Sequence, residues 1–145
     1  HYYRYDASLA SAGQPEASQL ALLAGAFDCV INLARSDSPH ALTNEAAALE
    51  AIGLPYIHLP VDFKQPLARD IERFLGLLRE HTDERLFVHC AYNWRASSFM
   101  FLHRVINAGL NPQQAKADLH AIWQPDATWQ TFIDATLQQH GIEAD

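Results

Sequence analysis

Residues 86–98 constrain the fold more than any other stretch of this chain. Leu86 to His89 reads as a strand that leads straight to Cys90, four residues follow, and Arg95 stands just before a helical pattern over 96–107. A strand that ends on a thiol and turns at once into a helix is a βα unit, and such units build parallel sheets. The rest of the chain repeats the alternation. Tyr2 to Tyr5 reads as an edge strand, and Ser11 to Pro15 as a turn. A helix opens at Pro15, where a missing N–H costs nothing, and runs to about Ala24. Cys29 to Leu33 is a β-branched run of the buried-strand kind, and Tyr56 to Leu59 is another strand between two prolines. Helical spacing covers Leu42 to Ile52 and Leu67 to Glu80, where Ile71, Phe74, Leu75 and Leu78 share one face. Two further helices are expected, one opening at Pro112 and one over Asp126 to Gln139. The pattern predicts an α/β fold in one domain over residues 1–145, with a central, mainly parallel sheet flanked by helices.

Composition narrows the functional classes. Of the 145 residues, 49% are hydrophobic and 19% charged, a soluble globular profile, and the net charge of −7 argues against a general nucleic-acid or anionic-membrane surface. No apolar run approaches the roughly 20 residues that span a bilayer. The eight histidines fall in no ligand pattern and the two cysteines have neither metal-ligand nor disulfide-framework spacing, so neither a metal nor another cofactor is expected. The chain starts at His1, as a trimmed or processed product would. A cytoplasmic location is slightly favoured, and a periplasmic one follows if a signal peptide preceded His1. Oligomeric state is left open.

The stretch from Cys90 to Arg95 has the chemistry of an anion cradle. Backbone N–H groups of such a loop converge on its centre, and the following helix turns its positive end there. That field favours a thiolate over a thiol. Arg95 offers paired planar donors that match two oxygens of a phosphoryl group. Cys90 as nucleophile and Arg95 as clamp suit phosphoryl transfer, in which positioning and charge stabilisation carry most of the catalysis. Ala91, Tyr92, Asn93 and Trp94 would surround the phosphate. Asn93 is expected to take a positive φ, which asparagine tolerates. His89 is expected to hold the loop by hydrogen bonds rather than to act as a base. Tyr92 and Trp94 either wall the pocket against an aromatic ester or pack outward.

His89-Cys90, the short loop, Arg95 and the helix together resemble the His-Cys-x5-Arg-Ser/Thr signature of tyrosine and dual-specificity phosphatases. Further landmarks resemble one branch, the small bacterial dual-specificity-like proteins: Ser11 to Pro15, Val30 to Leu33, Gly53 to Phe63 and Trp123 to Pro125. The resemblance spans nearly the whole chain and implies the phosphatase fold, a cysteinyl-phosphate intermediate, and a phosphorylated protein or small phosphoester as substrate. It also implies a general acid on the loop after the preceding strand, for which Asp62 is the candidate, with Phe63 as the alternative occupant of that position. Three departures stand out. Only four residues separate Cys90 from Arg95, and Ala96 follows the arginine. Ser97, seven positions after Cys90, is where the hydroxyl that assists the departing thiolate is expected. The general-acid loop aligns in two ways about one residue apart, with Asp62 or Phe63 at the expected position.

Other readings compete at individual positions. Asp62 also suits a loop or capping acid, and Ser97 and Ser98 suit an ordinary first helical turn. Cys29 reads as a small buried hydrophobe, and a bridge to Cys90 would need their Cα atoms within about 7 Å. Arg35 and Asp37 follow a strand on the ligand side of a parallel sheet, where they either line the pocket or are solvated. Two alternative functions follow from the shortened loop: a phosphate-binding protein without turnover, and a rhodanese-like sulfurtransferase carrying a persulfide on Cys90.

Overall fold

The computed structural model describes residues 1–143, so the last two positions of the expected 1–145 domain lie outside the described residues. Five strands form one sheet: β1 (Tyr3–Arg4), β2 (Leu9–Ala12), β3 (Cys29–Asn32), β4 (Tyr56–His58) and β5 (Leu86–His89). Their order is β1-β2-β5-β3-β4, with β1 antiparallel at one edge and every other pairing parallel. β5 lies in the middle. Its Leu86 is level with Leu9 and Cys29, and its His89 with Ala12 and Asn32, so three strands end together just before Cys90.

Alternation along the strands divides the core between the two faces of the sheet. Ala10, Val30 and Phe87 pack with Leu20, Leu23 and Phe27 beside the short α1 (Leu20–Leu23), and with Leu49 of α2 (Glu45–Ala51). Ile31, Val88 and Leu86 face the opposite way, onto α3 (Ala68–Glu80), α4 (Trp94–Ile106), α5 (Pro112–Ile122) and α6 (Ala127–Gln139). Both faces covered is the arrangement a parallel sheet requires. α4 runs through the larger layer, and Phe99, Met100, Phe101 and Leu102 are buried all around it. A helix apolar on every side belongs in a core.

Beyond one-residue differences at their ends, four elements differ from expectation, α2 among them because it starts at Glu45 rather than Leu42. The expected turn at Ser11 to Pro15 is in part β2: Ser11 and Ala12 close the strand, and the chain turns only at Gly13. The first helix is shorter than predicted, a 3₁₀ turn at Ala17–Gln19 running into α1, because Glu16 and Gln19 form a capping box that sets the start after Pro15. α4 begins at Trp94 rather than Ala96, which puts Arg95 in its first turn.

Candidate active site

The cradle is built at the carboxyl ends of β2, β3 and β5, where open parallel sheets place ligands. Cys90 continues the ladder, its N–H donating to the Ala12 carbonyl at 3.2 Å, and Gly13 then faces Tyr92 across an isolated bridge. The Gln14 N–H donates to the Ala91 carbonyl at 3.1 Å. Gly13 is required here: a Cβ on it would lie 2.7 Å from the Ala91 oxygen. Asn93 turns the chain with φ 68, and its Nδ2 donates to the His1 carbonyl at 2.8 Å, while its buried Oδ1 has no partner.

Around that turn the Cys90 sulfur accepts from the Ala96 N–H at 3.4 Å. Among the described residues the N–H groups of Ala91, Tyr92, Trp94 and Arg95 have no protein acceptor. Unpaired amides next to a helix N-terminus and a thiol form a site for an anion. Arg95 is buried, with one guanidinium nitrogen donating to the Val61 carbonyl at 2.8 Å and its Cζ 5.9 Å from the centre of the Phe63 ring. That bond ties the cradle to the loop bearing Asp62.

Asp62 is half exposed. Its Oδ1 accepts from the Lys64 N–H at 2.9 Å and its Oδ2 lies 3.4 Å from Arg35, which also pairs with Asp37 at 3.1 Å. Phe63 is part of an aromatic wall instead. Its carbonyl accepts from Trp129 Nε1 at 2.8 Å, and its ring lies 5.7 Å from Trp94 and 5.9 Å from Trp123. Trp94 stacks on Trp123 at 5.3 Å and meets Tyr92 at the same distance. Tyr92 and Trp94 remain partly exposed, so the rim of the cradle is aromatic. Ser97 and Ser98 both donate their hydroxyls to the Trp94 carbonyl, at 3.2 and 2.8 Å, so in this structure the sulfur's donor is the Ala96 amide.

His89 is fully buried. Its Nε2 donates to Glu45 Oε2 at 2.6 Å, and its Nδ1 lies 3.4 Å from the Cys90 carbonyl. Glu45 also accepts from Gln14 Nε2 at 2.8 Å. Burial works against its charge, but the bonds from His89 and Gln14 outweigh that and hold its pKa below the usual carboxylate range. Sequence reasoning missed Glu45, because an acid in a first helical turn looks like an ordinary surface residue. Cys29 is level with Leu86, four residues and about 13 Å from Cys90 along the strand direction, beyond disulfide reach. Its burial, with Glu84 and Asp28 nearby, pushes its thiol pKa up to about 11.

A thiol closing a loop of free amides, with a buried arginine beside it on this sheet order, defines the class of dual-specificity and tyrosine phosphatase-like folds. The family described as a DSP-PTPase phosphatase fused to NAD+ kinase (PTP-NADK) matches residues 4–134, and the chain belongs to it. A search of the curated proteins finds no match. Among solved structures, a Shewanella putrefaciens CN-32 protein provisionally described as a phosphatase (DUF442) is 28% identical with a TM-score of 0.84, covering 96% of this chain and 92% of that one. Tk-PTP in its active form is 18% identical (TM-score 0.81; 95% and 97% covered). PTPMT1 in complex with PI(5)P is 13% identical (TM-score 0.79; 97% and 96% covered). These last two share the fold.

Proposed function

We propose that the protein is a cysteine-dependent phosphatase that hydrolyses phosphomonoesters through a cysteinyl-phosphate. The observation that carries this reading is the Cys90 sulfur set against a loop whose amides at Ala91, Tyr92, Trp94 and Arg95 are free, next to a buried arginine. Phosphate oxygens take those amides and the Arg95 guanidinium. The Cys90 thiolate attacks phosphorus, the bond to the ester oxygen breaks, and Asp62 protonates the leaving oxygen. Water then attacks the phosphorus, the S–P bond breaks, and Asp62 takes the water's proton as phosphate leaves. Ser97, one turn into α4, assists the departing thiolate by turning its hydroxyl from the Trp94 carbonyl toward the sulfur. The aromatic rim of Tyr92, Trp94, Phe63 and Trp123 favours aryl phosphates such as phosphotyrosine in a protein. Arg35 is already shared by two aspartates, so the rim offers little to a polyphosphorylated substrate.

The test is p-nitrophenyl phosphate turnover over about pH 5 to 8. Cys90→Ser is expected to remove at least about a thousandfold of the rate and Arg95→Ala about a hundredfold. Asp62→Asn is expected to remove about a hundredfold. One observation favours a second reading, phosphate binding without turnover: the Asp62 carboxylate is engaged by Arg35 and the Lys64 amide. Phosphate that raises the melting temperature of a protein inert on every ester would decide for that reading.

A further inference from the structure

Glu45 opens α2, yet it is almost completely buried. A carboxylate taken out of water is costly unless its oxygens are hydrogen-bonded, and here each oxygen has one donor. The two donors lead to the cradle by separate routes. Oε2 accepts from His89 Nε2, and the other ring nitrogen, 3.4 Å from the Cys90 carbonyl, donates to it when the ring carries both protons as the imidazolium partner of this carboxylate. Oε1 holds the side chain of Gln14, whose backbone N–H holds the Ala91 carbonyl at 3.1 Å. A single carboxylate therefore braces two consecutive carbonyls of the loop.

Peptide planarity gives that bracing a consequence. The Cys90 carbonyl shares a plane with the Ala91 N–H, and the Ala91 carbonyl with the Tyr92 N–H, each pair pointing in opposite directions. Holding both carbonyls against β2 and His89 turns both amides the other way. Those two amides are among the four that have no protein acceptor. We infer that Glu45 is a positioning residue of the cradle, fixing through His89 and Gln14 the direction in which the Ala91 and Tyr92 amides meet the phosphoryl oxygens. The inference rests on residues 90–95 being a phosphate cradle, and it gives the shortened loop an external brace.

Two readouts test it: alkylation of Cys90 by iodoacetamide, with and without inorganic phosphate, and kcat and KM on p-nitrophenyl phosphate. In Glu45→Gln one face of the side chain becomes a donor, so His89 or Gln14 loses its acceptor. The phosphate concentration that protects Cys90 is expected to rise about tenfold. kcat is expected to fall about thirtyfold with KM changed less than about threefold, since misaimed amides are felt most in the transition state. Exchanging the two groups in Gln14→Glu/Glu45→Gln restores a donor–acceptor pair and is expected to return kcat to within about fivefold of the parent. Should Glu45→Gln not fold, Gln14→Ala removes one brace from a less buried position and is expected to weaken protection about fivefold. Parent-like protection and kcat in a folded Glu45→Gln protein would overturn the inference. So would losses that only follow the fraction unfolded and that the exchange does not repair. If phosphate protects Cys90 in a parent that turns over no ester, the phosphatase reading fails while the bracing is still measured. If phosphate gives the parent no protection, the bracing role falls with the cradle.

Discussion

At the scale of single residues, Gly13 is the position where one added carbon does the most harm. Its Cβ would lie 2.7 Å from the Ala91 oxygen and 3.4 Å from the Tyr92 Cα, both backbone atoms that cannot swing aside. Gly13→Ala therefore shifts the loop itself. Its kcat is expected to fall by about ten- to a hundredfold, the usual cost of a misplacement of about 1 Å; parent-like kcat would show that the loop adapts without cost. The two cysteines make an independent case. Both are buried, but Cys29 lies within the sheet with its thiol pushed up to about 11, whereas the Cys90 sulfur lies at the cradle and accepts from the Ala96 N–H. Mass spectrometry after iodoacetamide at pH 7 is expected to find one labelled thiol per folded chain, Cys90, and two in denaturant. The placement of Cys90 and Arg95 between β5 and the first turn of α4 was legible in sequence because it depends on spacing along a single βα turn. Glu45 was not, because its partners His89 and Gln14 lie 44 and 31 residues away and meet it only through the sheet.

Elements, rather than residues, build the rim of the cradle. Phe63 comes from the β4–α3 loop, Trp94 from the first turn of α4 and Trp123 from the end of α5, and their rings lie 5.3 to 5.9 Å apart. No local pattern predicts such a meeting, which is why sequence reasoning left Tyr92 and Trp94 between pocket wall and outward packing. β2 was misread for a related reason. Leu9-Ala10-Ser11-Ala12 has little β propensity, and it forms a strand because β5 offers it a parallel partner and α1 covers it. β5 itself was read to the residue, since an apolar run before a helix has few other solutions. If the wall binds the leaving group, Trp94→Ala should raise KM for p-nitrophenyl phosphate about five- to tenfold, the scale of one lost aromatic contact. KM for a small alkyl phosphate should hardly change. Equal rises for both esters would mean that Trp94 supports the loop and does not select the substrate.

For the molecule as a whole, a buried histidine at the end of the sheet away from Cys90 couples stability to pH. His103, on α4, is buried beside a cavity of about 290 Å³ lined also by Leu9 and Leu86, the residues that open β2 and β5. Its Nδ1 accepts from Asn107 Nδ2 at 3.0 Å, and the same amide donates to the Leu75 carbonyl at 3.0 Å. The neutral ring fits this arrangement and the charged one does not, because protonating Nδ1 replaces an acceptor with a donor. Burial first, and the nearby Arg104 second, lower the His103 pKa to about 4. An unfolded histidine titrates near 6.5, so between about pH 6.5 and 4 the unfolded chain binds more protons than the folded one. The contribution of His103 to stability is thus fully present above about pH 6.5 and is lost as the pH falls toward 4. The decline is at most about 3 kcal/mol, on the order of 10 °C in melting temperature for a chain of this length. His103→Gln keeps an acceptor for Asn107 without the titration, and its melting temperature is expected to stay nearly flat from pH 6.5 to about 5. A parent and variant with parallel curves would assign the acid sensitivity to other groups. The same variant separates two causes of activity lost at low pH. Because His103 lies at the far end of the sheet from the cradle, an acid limb of kcat/KM that persists in His103→Gln does not come from unfolding through His103, and one that disappears with it does.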